Sequence, residues 1–464
     1  MQKMITLTNT RYRLGYHVSA PAGWINDPNG FCYFKGYYHI FYQYHPYSAD
    51  WGPMHWGHAR SKDLVHWESL PLALAPDTKA DEDGCFSGSA IVKDDTLYLI
   101  YTGHHYYGDG DPDHFWQNQN LAYSQDGITF TKYAQNPIIA HEPADNTHHF
   151  RDPKVFEKDG SYYMVLGSQA KDGAGRAIMY RSSDLKNWEY LGPFAKAKED
   201  EGYMWECPDF FNLAGKDILL LSPQGIKPQK EKYLNLFQTG YFVGDYELAT
   251  NTFTHGAFTE IDLGHDFYAS QTTLTPDGRR VVLGWMDMWE SDFPEKADGW
   301  AGALTLPREL KLKGVRLYMS PIKELEKLRT AKLATFTETL TEEKLLCTNE
   351  KQVELMLDLK DTTDFSFSLR DQVGNEQLTL DFDRDTYKFT LTKGEQRFAT
   401  IAPTNSVNLR IFVDTSSLEI FINDGEAVFT ERFYLESAPT LWLKAKKATY
   451  QAEIYRLEAQ AIEF

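Results

Sequence analysis

No uninterrupted apolar run in the 464-residue sequence is long enough to span a bilayer. The first residues, MQKMITLTNTRYRLGYH, contain neither an apolar h-region nor a cleavage-site pattern. A membrane span or export is therefore not expected, and a cytoplasmic location is. Cysteine is scarce: Cys32, Cys85, Cys207 and Cys347 lie far apart and form neither a CxxC pair nor a Cys/His zinc spacing. Free thiols are expected, with no bound metal and no organic cofactor. Dense Lys/Arg blocks are also missing, and a formal net charge of -19 repels phosphate backbones and anionic headgroups. Nucleic acid and membrane surfaces are thereby excluded as partners, leaving a small molecule; oligomeric state has no signature in the sequence.

What the chain has in quantity is aromatic residues, 14% of the total, and 32 glycines. That mixture favours many short strands joined by tight turns, an all-β fold. At this length two domains of unequal size are expected. A strand-turn-strand pattern occurs five times in the first two thirds: GFCYFKGYYHIFYQY, GSAIVKDDTLYLIY, DPKVFEKDGSYYMVL, PDFFNLAGKDILLL and SQTTLTPDGRRVVLGW. The turns centre near Gly36, Asp95, Gly160, Gly215 and Gly278, at spacings of 59, 65, 55 and 63 residues. A second repeat lies between them, with Ser, Asp and an aromatic at fixed offsets in Ser61–Trp67, Ser124–Phe130 and Ser182–Trp188. Together they predict four-stranded blades and a five-bladed β-propeller over residues 1–320. A linker with a short helix, capped by Ser320 and opened by Pro321, is expected over 321–340. Alternating segments such as VELMLDLKD, QLTLDFDRD and LRIFVD then predict a β-sandwich over 341–464.

The chemically interesting residues share one position in the repeats. Asp27 lies nine residues before its turn, Asp152 eight, Glu206 nine and Ser87 eight. The first strand of each blade lines the central channel, so equivalent positions at its start converge at one mouth. Three acids from three blades should face one another there. Burying carboxylates together opposes their ionisation through desolvation and repulsion, so one is expected to stay protonated while another stays charged. That division of labour is what acid-assisted cleavage of a glycosidic bond requires. Arg151 is expected to keep Asp152 ionised. Trp51, Trp205, Trp285 and Phe86 offer flat apolar faces for sugar C–H groups, and Asn26, Gln43 and Ser87 offer hydroxyl partners.

These residues fall in motifs, WINDPNG at 24–30, FSGSA at 86–90, RDP at 151–153 and WECPD at 205–209, that resemble glycoside hydrolase family 32, the family of invertases and other β-fructofuranosidases. The likeness extends over essentially the whole chain. It implies a five-bladed propeller followed by a β-sandwich, no cofactor, and cleavage with retention of configuration. By position it implies Asp27 as nucleophile, Glu206 as general acid/base and Asp152 as transition-state stabiliser. Trp24, Ile25, Asn26, Gln43, Trp51, Phe86, Ser87, Arg151 and Trp285 are implied as the residues around the fructosyl unit.

A cytoplasmic enzyme would meet small imported sugars rather than polymeric fructan, and within the family the chain is most similar to the bacterial members that act on sucrose 6-phosphate, so the resemblance implies that substrate, with sucrose itself or short fructooligosaccharides as the alternative. A phosphate subsite would need cationic or amide donors. His104, His105, His148, His149, Arg176 and Lys227 lie in suitable loops but form no cluster in the sequence. A non-catalytic sugar-binding propeller is the reading from a different class, and loss of one of the acids would mark it; all three are present.

Overall fold

The structure, a computed structural model, describes residues 2–361 and 363–464. It is nearly all β, and among the described residues no helix is long and apolar enough to cross a membrane. Five sheets follow one another along residues 23–321. Their inner strands are Gly23–Phe34, Cys85–Lys93, Asn146–Lys158, Met204–Leu213 and Tyr268–Leu274. Each of these neighbours the next, and the last neighbours the first, so the inner strands close a cycle around a central channel.

Within each sheet the chain runs outward through antiparallel hairpins. Gly36, Asp95, Gly160, Gly215 and Gly278 at the first hairpins all take positive φ, the conformation a tight hairpin turn needs. The repeated Ser-x-Asp segment is a turn ahead of the outermost strand. Ser61 Oγ accepts from Leu64 N–H and Ser182 Oγ from Leu185 N–H, at 2.8 and 2.9 Å. Asp63 and Asp184 then accept the N–H groups of His66 and Asn187. Side-chain acceptors thus satisfy backbone donors that no ladder reaches.

Two six-stranded sheets form the C-terminal part around one core that includes Leu355, Phe367, Leu380, Leu391, Ile420 and Leu443. A short helix lies within the expected linker, but its cap differs and the linker ends early. Residues Lys323–Leu328 make two turns of 3-10 helix with Ile322 at the N-cap and no side-chain cap, while Ser320 Oγ instead bonds to the Asp424 carbonyl. From Arg329 the chain is already strand: Arg329–Leu340 pairs with Ala448–Leu457. Its pattern RTAKLATFTETL, half-exposed and rich in threonine, alternates too weakly to be read as strand from sequence.

The two parts share a core in which Leu283, Leu306 and Met319 pack with Phe412, Phe421 and Val428, and Ile462 returns to pair beside Trp67. A buried charge network crosses this contact. Arg308 binds Asp262 at 2.9 Å and Glu419 at 2.7 Å, and all three side chains are inaccessible. His17, equally buried, bridges Asp414 and Glu419. Burial alone would lower the His17 pKa, but Glu419 and Asp414 outweigh it and hold it up to about 9.

A histidine whose folded pKa is raised contributes stability that is complete below its unfolded value, about 6.5, and is lost as pH rises through about 9. Denaturation midpoints are therefore expected to fall between about pH 6.5 and 9, and His17→Gln is expected to flatten that fall; an unchanged alkaline slope in the variant would contradict the assignment. Arg308→Met leaves Asp262 buried without its cation and Glu419 with His17 alone, and should cost about 3–5 kcal/mol in urea unfolding.

Candidate active site

Proline has no N–H to give a ladder, so within a sheet it is accommodated at an edge or a bulge. The inner strands place Pro28, Pro153 and Pro208 directly after Asp27, Asp152 and Cys207. Pairing shifts register at each point: between Ile25 and Pro28, between Arg151 and Lys154, and between Glu206 and Asp209. The second strand breaks between Cys85 and Gly88, and the fifth between Tyr268 and Gln271. Each inner strand is thus bulged at the same level, which turns the bulge residues off the sheet and towards the channel. Asp152, Cys207 and Ala269 take positive φ within these bulges, a strained conformation for residues with a Cβ. Gly88 is required for contact: a Cβ there would lie 1.9 Å from the Ile100 carbonyl oxygen.

The bulges face a cavity of about 380 Å³ lined by Asp27, Asp152 and Glu206 together with Asn26, Gln43, Trp51, Phe86, Ser87 and Arg151. The opposite mouth of the channel holds a larger space, about 840 Å³, whose charged lining includes the Lys154–Asp209 pair but none of the three acids. Chemistry rather than size selects the site.

Asp27 is held from several sides. Ser87 Oγ donates to its Oδ2 at 2.6 Å and Asn26 Nδ2 to its Oδ1 at 3.1 Å, while Trp24 Nε1 fixes the Asn26 amide from behind at 2.8 Å. Cys207 bridges two acids: its N–H donates to Asp152 Oδ2 at 2.9 Å, and its Sγ lies 3.5 Å from Asp27 and 3.6 Å from Asp152. Glu206 accepts from Arg151 Nε at 3.0 Å and from the Tyr268 hydroxyl at 2.6 Å. Burial first, and the nearby Glu206 second, push the Asp27 carboxyl up to about 6 against the donors that favour its charged form. Asp152 is raised as well, by burial and then by Glu206, with Arg151 opposing.

Several expectations need correction. Arg151 hydrogen-bonds Glu206 across to the neighbouring sheet and acts on Asp152 through its charge alone, favouring the ionised form without cancelling the effects of burial and Glu206. Trp24, Ile25 and Trp285 do not line the cavity. Ile25 is wholly buried in the core, and Trp24 and Trp285 pack behind the wall with Trp289 and Phe293. Trp205 is likewise buried, against Phe242. Among the residues weighed for phosphate, His104 and His149 line the cavity. Arg176 is taken by Asp145 at 2.9 Å, and Lys227 is exposed elsewhere.

The sequence reading missed Tyr268, Gln117, Tyr203, Gln224 and Trp289. Tyr268 stands ten residues before Gly278, one step beyond the offset that picked out the acids, and that register was its available signal. The others come from outgoing strands and loops, for which the repeat defines no position.

Carboxylates gathered in a sugar-sized cavity cleave glycosidic bonds, and this chain is a glycosidase. The profile of the "Glycosyl hydrolases family 32 N-terminal domain" matches residues 17–321, and that of the "Glycosyl hydrolases family 32 C terminal" region matches 324–459. The chain belongs to glycosyl hydrolase family 32. It is 43% identical to the sucrose-6-phosphate hydrolase of Escherichia coli over 90% of this chain and 88% of that one. A silkworm (Bombyx mori) β-fructofuranosidase, solved as a mutant in complex with sucrose, superimposes with a TM-score of 0.90 at 39% identity, covering 98% of this chain and 96% of that one. The sucrose-6-phosphate hydrolase of Lactobacillus gasseri gives 0.89 at 31%, covering 98% and 94%. A β-propeller with a β-sandwich is the architecture of these neighbours and of this chain.

A carboxyl whose folded pKa is raised contributes fully to stability below its ordinary value, about 3.8, and loses that contribution as pH rises through about 6. Asp27→Asn is therefore expected to melt above the wild type at pH 8, with the difference shrinking below about pH 4. A variant that melts lower at pH 8 would mean that the hydrogen bonds to Asp27 outweigh its desolvation.

Proposed function

We propose that the chain hydrolyses the β-fructofuranosidic bond of sucrose 6-phosphate, and of sucrose, in a double displacement that retains configuration. The observation that carries this reading is the pairing of Asp27, fixed by Ser87 and Asn26, with Glu206, fixed by Arg151 and Tyr268, in one cavity. Asp27 attacks the anomeric carbon of the fructosyl unit while Glu206 gives its proton to the departing glycosidic oxygen, releasing the glucosyl product. Glu206, now a carboxylate, takes a proton from water, which attacks the same carbon and frees Asp27. Asp152 accepts hydrogen bonds from fructose hydroxyls, and its charge favours the oxocarbenium-like transition state. Trp51 and Phe86, edge to face with ring centroids 6.2 Å apart, wall the sugar on the open side.

The five sheets that close around the channel are read as five blades, with the chemistry in residues up to about 320 and the sandwich bracing them. A cytoplasmic location fits an imported, phosphorylated disaccharide. The relatives from Escherichia coli and Lactobacillus gasseri support the phosphorylated substrate. One observation favours a second reading, a β-fructofuranosidase indifferent to phosphate: among the described residues lining the cavity, Arg151 is the one lysine or arginine, and it is engaged by Glu206.

The ratio of kcat/KM for sucrose 6-phosphate over sucrose decides between them. About a hundredfold or more, worth roughly 2.7 kcal/mol in the transition state, is expected if the leaving-group side holds phosphate; equal values establish the second reading. Because Asp27 must be ionised to attack and Asp152 to stabilise the transition state, and their pKa values are raised to about 6 and about 7, kcat/KM is expected to fall as pH drops through that range. An acid limb near pH 4 would show that bulk water reaches the carboxylates. Asp27→Ala and Glu206→Ala are both expected to lose turnover by several orders of magnitude while retaining the fold by circular dichroism. Wild-type turnover in either would show that hydrolysis does not pass through that carboxyl group.

A further inference from the structure

Residues 75–84 lead from the outermost strand of the first sheet into the inner strand that carries Phe86 and Ser87. They fold back over the end of the strand Thr96–Tyr106. Asp83 N–H donates to the His104 carbonyl at 3.2 Å and His104 N–H to the Gly84 carbonyl at 3.0 Å. Tyr106 N–H donates to Asp83 Oδ2 at 2.7 Å. Between these contacts His105 is fully buried, its ring stacked on Trp116 with centroids 3.8 Å apart.

The two ring nitrogens of His105 have different surroundings. Nε2 lies 3.0 Å from the Ala80 carbonyl oxygen. A carbonyl oxygen only accepts, so Nε2 carries the proton, and in the neutral ring Nδ1 then presents a lone pair. Nδ1 is shielded from solvent and has no hydrogen-bond partner among the described residues. What it faces is a further acceptor, Glu82 Oε1, at 3.7 Å. One donor atom from each of Glu82, Asp83 and His105 lies within 4.8 Å of the other two. No lysine or arginine among the described residues pairs with either carboxylate. A lone pair and two carboxylates turned towards one another repel, and a cation between them relieves that repulsion as a proton on Nδ1 would.

We propose that Glu82, Asp83 and His105 bind one divalent transition-metal cation, with zinc the natural probe. A neutral imidazole whose other N–H is held by a backbone carbonyl is the arrangement that orients a metal-binding histidine. One nitrogen and two carboxylate oxygens suit zinc, whereas calcium and magnesium take oxygen ligands throughout. The Glu82 side chain is 59% exposed, which leaves a side open for ion entry and for water as a fourth ligand. The ion would pin residues 75–84 to the strand Thr96–Tyr106. That loop runs straight into Phe86, which stacks on His104 at 4.1 Å, and into Ser87, which donates to Asp27. The site is a clamp behind the sugar cavity, and no step of hydrolysis passes through it.

A second group, Asp27, Asp152 and Cys207, could also take zinc through its thiol and carboxylates, so the test separates the two. Zinc chloride is titrated calorimetrically into the chelator-stripped full chain and into Glu82→Gln, His105→Gln and Cys207→Ser. The expected result is one ion per wild-type chain, affinity at least tenfold weaker in Glu82→Gln and His105→Gln, and unchanged affinity in Cys207→Ser. Zinc should also raise the melting temperature of the wild type and not of Glu82→Gln. Glu82 is on the surface, so its variant carries the test even if the buried His105 variant fails to fold. Absence of binding, binding undiminished in Glu82→Gln, or binding lost in Cys207→Ser would overturn the proposal.

Discussion

The break in pairing at one level of every inner strand is the constraint on which the site depends. Pairing breaks at Asn26–Asp27, Asp152–Pro153 and Cys207–Pro208, where proline, unable to donate to a ladder, is tolerated within or just after the break, and the second and fifth strands break at the same level without proline. An unbroken strand would alternate its side chains between the two faces of the sheet, where neighbouring sheets pack against it. The bulge sends them to the channel instead. Because the inner strands close a cycle and bulge at one level, residues distant in sequence reach a single cavity.

That convergence works against stability, and the surrounding structure compensates. Two carboxyl groups are held above their ordinary pKa by burial and by Glu206, and Asp152 and Cys207 sit in left-handed backbone. Ser87, Asn26, Arg151, Tyr268 and the Cys207 N–H supply hydrogen bonds that fix each acid in one orientation. Farther out, the Arg308 and His17 networks join the fifth sheet and the N-terminal segment to the sandwich. The sandwich carries none of the residues lining the cavity and shares a core with the ring of sheets that does.

Much of this was legible in the sequence, for physical reasons. Hairpin turns demand positive φ, so glycine and aspartate marked them, and counting back from the turns brought out Asp27, Asp152, Glu206 and Ser87. What depended on three-dimensional neighbours was not. Arg151 could be assigned to the acid beside it in sequence, but only packing across sheets shows that it reaches Glu206. Trp24 and Trp285 belong to a motif and a strand near the site, yet tryptophan serves a core as readily as a sugar, and here both form the layer behind the cavity. The strand from Arg329 was missed because an edge strand with one weakly apolar face carries little periodic signal.

The central claim is that Asp27 forms a bond to the fructosyl unit and that water or another hydroxyl then replaces it from the opposite side. Hydrolysis of sucrose in the presence of methanol tests this directly, because methyl fructoside keeps its configuration whereas free fructose does not. NMR of the first-formed product is expected to show methyl β-fructofuranoside, the outcome of two inversions at one carbon. Formation of the α-anomer would mean a single displacement, and would contradict the role given to Asp27.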